Sequence, residues 1–384
     1  MAPSSRLLLG VLLLAAVAGG NGATYGKTQY DRVFSLGDSL TDTGNAAILP
    51  VTAGGPFTTS PYWQAHIKGP SGRASDGLLV IDFIVESLRL PQPTPYLAGS
   101  TADDFRHGVN FAVGGATALD MAFLESRGIT SFVPISLTNQ TTWFNGVLQL
   151  LASTRKEQRK IMASSLFYLG EIGFNDYSFA LLSNANDTVG LAVSLVPDII
   201  GVIRSALIDT IAAGARTMVV MGMIPMGCEP ELLALLPSST PGYYDPASGC
   251  IAQFNQVAQL HNRALNRMLA QLRRAYPGTS IHYGDLYHPI TALISSPGKY
   301  GFAGTPLAAC CGGGGGPYNF NFTFFCGTPL STACADPSGA VSWDGIHYTE
   351  AANRFVASAM LRGLVLPSQP VATNGWIPVS KSTQ

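Results

Sequence analysis

The chain has 384 residues, a formal net charge of −1 and 12% charged residues, about half the ~25% of an ordinary globular protein. With neither a basic stripe nor an acidic tail, it offers nothing to a nucleic-acid partner. Its surface must be built from Ser, Thr, Asn, Gln, Gly and Tyr, which suits neutral or polyhydroxylated substrates, and its length suits one large α/β domain or two smaller ones.

At the N-terminus, Arg6 precedes an apolar run over 7–18, followed by small residues over 19–23. A charged start, a short apolar stretch and a small-residue exit read as a secretory signal peptide over 1–23, cleaved near Gly22 or Ala23. The run is short of the ~20 residues a span needs; an uncleaved anchor in a Golgi or other secretory-pathway lumen is the alternative. The mature chain is expected to form a single domain over 24–365 with a loose tail over 366–384. No later segment reads as long and apolar enough to cross a bilayer.

Strand-like runs follow at 33–36, 109–111, 166–169, 218–221 and 281–283, each ending in glycine or a polar turn. Between them lie helical patterns: Val196, Ile199, Ile200, Ile203, Leu207 and Ile211; then Ile251, Phe254, Val257, Leu265, Met268 and Leu272; then Ala352, Phe355, Val356 and Ala359. Alternating strand and helix predicts an α/β fold with a mostly parallel sheet covered on both faces. Such folds place their site at the carboxyl ends of the strands.

Two stretches break the alternation. Residues 48–77 are rich in Pro, Gly and aromatics, and 307–336 carries the run from Gly312 to Gly316. A phosphate loop is rejected there, because no Lys-Ser/Thr follows and no helix opens. Four of the six cysteines, Cys310, Cys311, Cys326 and Cys334, fall in the second stretch, while Cys228 and Cys250 form a separate pair. Cys310 and Cys311 are too close to bond one another, so each is expected to reach Cys326 or Cys334. Disulfides fit an oxidising compartment; with no CxxC pair or HExxH helix, no metal is expected. Asn139, Asn186 and Asn321 open N-glycosylation sequons.

The chemistry is carried by residues far apart in the chain. Ser39, in Gly37-Asp38-Ser39-Leu40, sits where a strand delivers a turn, as a nucleophile would. Asp344 and His347 stand three residues apart, spaced for one helical turn, and could supply the orienting acid and the base that a serine hydroxyl needs. The N–H of Gly115 and the side-chain amide of Asn175, at other strand ends, could hold an oxyanion. Each has an ordinary alternative: a common turn for Ser39, a helix cap for Asp344, a tight turn for Gly115, a turn amide for Asn175. The remaining histidines read as surface or packing residues, His66 alone falling in a rim segment.

Together these residues resemble the plant GDSL esterases/lipases of the SGNH hydrolase superfamily over nearly the whole mature length. The similar blocks are 34–45 (Phe34-Ser35-Leu36-Gly37-Asp38-Ser39-Leu40-Thr41-Asp42-Thr43-Gly44-Asn45), 110–117 (Asn110-Phe111-Ala112-Val113-Gly114-Gly115-Ala116-Thr117), Gly173-Phe174-Asn175-Asp176 and Asp344-Gly345-Ile346-His347. The resemblance implies a flavodoxin-like three-layer α/β/α fold. It implies Ser39, Asp344 and His347 as catalytic residues, with the Ser39 N–H, Gly115 and Asn175 as the oxyanion hole. Ser39 lies outside a G-x-S-x-G elbow, which disfavours an α/β-hydrolase.

The chain departs from the family pattern at three places. Phe174 stands where Gly is usual, Gly54-Gly55-Pro56-Phe57 and Ser60-Pro61-Tyr62-Trp63 take the place of Pro-Pro-Tyr-Gly, and Met223 stands where Asn is common. These residues bear on the substrate rather than on the reaction. The expected activity is a secreted, cofactor-free serine esterase acting on short-chain or acetyl esters through an acyl-enzyme, akin to the sinapine-esterase-like group. Alternatives are a xylan O-acetyl deacetylase, an acyltransferase using the same site, or a long-chain lipase. A non-catalytic carbohydrate-binding protein would have no need of Asp344 and His347 in register.

Overall fold

The computed structural model describes residues 30–64 and 71–364. The segments expected to be a signal peptide and a loose tail, together with His66, lie outside the described residues. Six parallel strands form the central sheet: β1 (Arg32–Leu36), β2 (Thr94–Pro95), β3 (Gly108–Asn110), β4 (Ser165–Leu169), β5 (Thr217–Met221) and β6 (Ser280–Gly284). Their spatial order is β2-β3-β1-β4-β5-β6. Five of the six coincide with the runs read from sequence. The edge strand β2 was missed because two residues at the end of a Pro-rich segment carry no periodic signal.

Parallel pairing on both sides explains the near-continuous apolar character of the inner strands: all five residues of β4 are buried. Ser35 lies opposite Asn110 on one side and Tyr168 on the other. The carboxyl ends of β3, β1 and β4 are therefore level, and the loops leaving them start side by side. The chain adds β3 and β2 on one side of β1 and β4, β5 and β6 on the other. The strand order thus reverses next to β1, at the kind of crevice where open α/β sheets hold ligands.

The helices are α1 (Asn45–Ile48), α2 (Val80–Ser87), α3 (Met121–Ser126), α4 (Leu137–Leu151), α5 (Arg155–Ala163), α6 (Phe174–Leu181), α7 (Thr188–Ala213), α8 (Pro230–Leu235), α9 (Ala252–Ala275), α10 (Tyr287–Ser295) and α11 (Glu350–Leu364). One group packs α7 against α9, α6, α4 and α5; the other packs α11 against α2 and α10. With the sheet they make the expected layered α/β fold. Local chemistry sets the helix ends: Ser136 caps α4, Thr154 and Glu157 form a capping box on α5, and Asp187 accepts from the Gly190 N–H at 2.7 Å to start α7.

One expectation needs correcting. By length and composition α7, at 26 residues, is apolar enough to cross a membrane. Its Leu195, Val196, Ile199, Ile203 and Leu207 are instead buried in the protein core, where α7 packs against four neighbouring helices. The second irregular stretch is stapled, as its cysteines suggested. Disulfides join Cys310 to Cys334 and Cys311 to Cys326, while Cys228 pairs with Cys250. A small antiparallel pair, β7 (Cys311–Gly312) and β8 (Thr332–Ala333), lies within it.

Candidate active site

The turn after β1 is forced by its glycine. Gly37 has φ +147, in a region L side chains rarely adopt, and a Cβ there would lie 3.1 Å from the Glu171 carbonyl oxygen. Asp38 then closes the turn: its Oδ1 accepts the Leu40 N–H at 2.9 Å, and its carbonyl accepts the N–H groups of Thr41 and Asp42 at 3.0 and 2.9 Å. Ser39 projects from this turn.

Across the crevice, the loop before α11 carries the other two residues. His347 Nε2 lies 2.8 Å from Ser39 Oγ, and His347 Nδ1 lies 2.7 Å from Asp344 Oδ2. All three are buried, with Ser39 7% exposed. The segment 344–347 is not a helical turn as its spacing suggested. It is a loop in which Asp344 Oδ1 accepts the N–H groups of Ile346 and His347, both at 2.9 Å. Nor does Asp344 cap α11. That role falls to Asp76, whose Oδ1 accepts the Glu350 N–H at 2.7 Å, and to Thr349, whose Oγ1 accepts the Ala352 N–H at 3.2 Å.

The loops leaving β3 and β4 bring Gly115 and Asn175 to the same place. Asn175 Nδ2 donates to the Ala116 carbonyl at 2.8 Å and to Asp38 Oδ2 at 3.4 Å, joining the three loops. Gly115 has φ +82 and packs tightly on Val133. Among the described residues, no protein acceptor takes the N–H of Ser39 or of Gly115. Two unengaged backbone donors and a fixed amide therefore sit around Ser39, His347 and Asp344, which are linked in hydrogen-bonded sequence.

Comparison with known proteins agrees with this geometry. Residues 33–360 match the GDSL-like lipase/acylhydrolase family. The chain belongs to this family. A GDSL esterase/lipase of Arabidopsis thaliana is 41% identical over 340 residues, covering 87% of this chain and 85% of the relative. A second from the same plant is 40% identical over 340 residues, covering 87% and 91%. Sinapine esterase of Brassica napus is 40% identical over 338 residues, covering 87% and 86%. This GDSL protein is accordingly a carboxylic ester hydrolase.

Several residues of the GDSL site carry roles that the sequence reading did not assign. Asp42 accepts four backbone N–H groups, from Gly44, Asn45, Ala46 and Gly114, at 2.7–2.8 Å. It thereby ties the nucleophile loop to the Gly115 loop. Asn45 Nδ2 donates to the carbonyls of Asn110 and Ala112, and Asn110 Nδ2 donates to that of Thr41. Asp176 holds the N–H groups of Ala118 and Leu119 at 2.8 and 2.9 Å. All four stand inside the motif blocks, which was the available signal. Gln140 stands outside them: buried on α4, it clamps Gly37 by accepting its N–H at 2.9 Å and donating to its carbonyl at 2.8 Å. Tyr62, fully buried, donates to Asp344 Oδ2 at 2.7 Å.

The electrostatics of the site are unusual for a chain with few charges. Burial works against the His347 imidazolium, yet the charge and hydrogen bond of Asp344, with Asp38 and Glu231 beyond, raise it above the ordinary histidine value. Burial likewise pushes Asp344 up, but His347, the Ile346 N–H and Tyr62 outweigh it and hold the carboxyl below its usual range. Burial raises Asp38, and burial together with the neighbouring Asp38 raises Glu171 well above a normal carboxyl. Glu231 is pushed up to about 7 by burial, against the pull of His347.

The departures from the family pattern resolve structurally. Phe174 is 4% exposed and belongs to the main hydrophobic core. Met223 is buried beside Gly173. Trp63 takes φ +57, a left-handed conformation uncommon for a non-glycine residue. Of the other histidines, His261 is buried and hydrogen-bonded to Tyr177 at 3.0 Å, His288 pairs with Asp285 at 2.6 Å, and His107 is half-buried beside Arg106. His282 is partly buried at the edge strand. Asn139, Asn186 and Asn321 are all exposed.

Proposed function

We propose that this protein is a secreted serine esterase that hydrolyses short-chain, chiefly acetyl, esters of neutral polyhydroxylated compounds through an acyl-enzyme on Ser39. One observation carries the reading: the continuous hydrogen-bond chain from Ser39 Oγ through His347 to Asp344, at 2.8 and 2.7 Å. His347 Nε2 takes the Ser39 proton as Oγ attacks the ester carbonyl, while Asp344 fixes the tautomer and supports the imidazolium. The Ser39 and Gly115 N–H groups and the Asn175 amide receive the oxyanion. The tetrahedral intermediate expels the alcohol, which takes its proton from His347. Water then attacks the acyl-enzyme, giving its proton to the same nitrogen; Ser39 recovers the proton as the acid departs. Overall, ester and water become acid and alcohol.

A small acyl group is favoured by the tight surroundings of the nucleophile. The Phe57 ring stands edge-on to His347 at 5.2 Å. Val133 closes on Gly115, where a Cβ would come within 2.6 Å of its Cγ2. The three disulfides support folding in an oxidising compartment, and the exposed sequons are available for glycans. Ser39→Ala should abolish both p-nitrophenyl acetate hydrolysis and labelling by a fluorophosphonate probe, while melting like the wild type. Retention of either activity in that variant would overturn the assignment. Comparing acetylated xylan, choline esters and p-nitrophenyl esters of increasing chain length tests the substrate class, with preference for long chains counting against it.

A further inference from the structure

The acid of the hydrogen-bond chain has a second partner that the catalytic cycle above does not use. Asp344 Oδ2 accepts from His347 Nδ1 and also from the Tyr62 hydroxyl, each at 2.7 Å, while Oδ1 accepts two backbone N–H groups at 2.9 Å. All four lone-pair positions of the carboxylate are thus filled, and both oxygens are fixed in direction. Tyr62 comes from a segment 282 residues distant from Asp344, so the contact is tertiary.

The tyrosine is itself held on every side. Its ring meets Trp343 edge-on at 5.8 Å and Phe57 at 5.5 Å, and Phe57 in turn meets His347. It shares a compact buried cluster with Cys310, Cys311, Cys326 and Trp343, separate from the main core. Gly327, just beyond the Cys311–Cys326 disulfide, lies against the edge of the ring. The stapled loop is therefore the wall that seats Tyr62, which gives the disulfides a place in the site as well as in the fold.

We infer that Tyr62 is a positioning residue for catalysis: its hydroxyl locks Asp344 so that Oδ2 stays aimed at His347 Nδ1, extending the chain to Ser39–His347–Asp344–Tyr62. This rests on the hydrolase reading given above. A hydrogen bond to a buried carboxylate does two things. It prevents the carboxylate from rotating away from the imidazole, and it draws charge from the oxygen that supports the imidazolium. The other charged or titratable groups facing this pair are Asp38, Glu231 and, toward Asp344, Glu229. None of them hydrogen-bonds Asp344 Oδ2.

Tyr62→Phe keeps the ring and its packing and removes only the donor. It should lower kcat by about 10- to 100-fold with KM little changed, since a base held loosely costs rate rather than binding. It should also shift the His347 titration midpoint, read from the imidazole resonances by NMR, upward by about one pH unit. Replacing residue 62 with 3,5-difluorotyrosine strengthens the donor and should move that midpoint downward; it decides the matter if Tyr62→Phe does not fold. A folded Tyr62→Phe with wild-type kcat and an unmoved His347 midpoint overturns the inference, as does a difluorotyrosine variant shifted upward. Because the NMR readout needs no turnover, inert wild-type protein with a shifted midpoint would refute the hydrolase reading and leave the Tyr62 contact standing.

Discussion

Gln140→Met is the substitution whose consequences can be worked most closely from the structure. Gln140 is fully buried. Methionine retains its length and most of its volume but neither of its hydrogen bonds. The Gly37 N–H, whose partner is Gln140 Oε1 at 2.9 Å, would be left in the core without an acceptor, at a cost of about 1–3 kcal/mol. The Gly37 carbonyl would keep its 3.3 Å bond from Val113, so its loss is nearer the net value of about 0.5–1.5 kcal/mol. The sum, about 2–4 kcal/mol, corresponds to a fall in Tm on the order of 3–6 °C for a domain of this size. Ser39 is two residues from the released clamp, so kcat should fall by about 100-fold while KM holds. Thermal melts and steady-state hydrolysis of p-nitrophenyl acetate measure both. Gln140→Glu provides the internal check: the carboxylate still accepts the Gly37 N–H, but its other oxygen faces the carbonyl and repels it until protonated. Its stability relative to wild type should therefore recover as the pH is lowered. Wild-type melting and turnover in Gln140→Met would show that the clamp does not hold the nucleophile turn.

Other substitutions probe the oxyanion donors and the titrating groups. Asn175→Ala should reduce kcat by about 10²–10³, with KM nearly unchanged, and a loss below tenfold would remove Asn175 from the oxyanion hole. Gly115→Ala forces a Cβ to within 2.6 Å of Val133 Cγ2 at φ +82; turnover should drop sharply and recover in part when Val133→Ala is added, whereas no recovery would mean the strained backbone alone is responsible. Because His347 must be neutral to accept the Ser39 proton and titrates above 6.5, kcat/KM should rise with pH through a midpoint on the alkaline side of 6.5; a midpoint below it contradicts the Asp344 contact. Stability should run the other way. Asp176 and Glu231 are raised to about 7 and Asp42 to about 6, so between about pH 4 and 7 the folded chain binds protons that the unfolded chain releases. The raised His347 adds stability that is complete below its unfolded value and is lost as pH climbs through its folded one. Tm should therefore be higher near pH 5 than near pH 8, and the reverse order would refute burial as the cause.

Much of the molecule was legible in the chain because its signals are local. The inner strands are short apolar runs closed by glycine, and the long helices repeat apolar residues at three- and four-residue steps; both patterns follow from burying one face or a whole strand. Gly37, Ser39, Gly115, Asn175, Asp344 and His347 stand in motif blocks whose residue types match the chemistry of acyl transfer. Where the chain misled, the local pattern was ambiguous. The three-residue spacing of Asp344 and His347 suits a helical turn and an Asx-type loop equally, and the apolar length of α7 suits a membrane and a protein core equally.

What the sequence by itself determined is the positions of the sheet's buried strands, the class of reaction and the five residues proposed to carry it, because each is written in contiguous residues. What only the tertiary structure decided is how those residues are held. Gln140 lies in no motif and Tyr62 in a stretch that departs from its family pattern, and their value comes from contacts spanning 103 and 282 positions of the chain. The partners of Cys310 and Cys311 were equally open until the loop closed. Buried polar groups must find hydrogen bonds wherever the fold brings a partner, and chain spacing does not specify that partner.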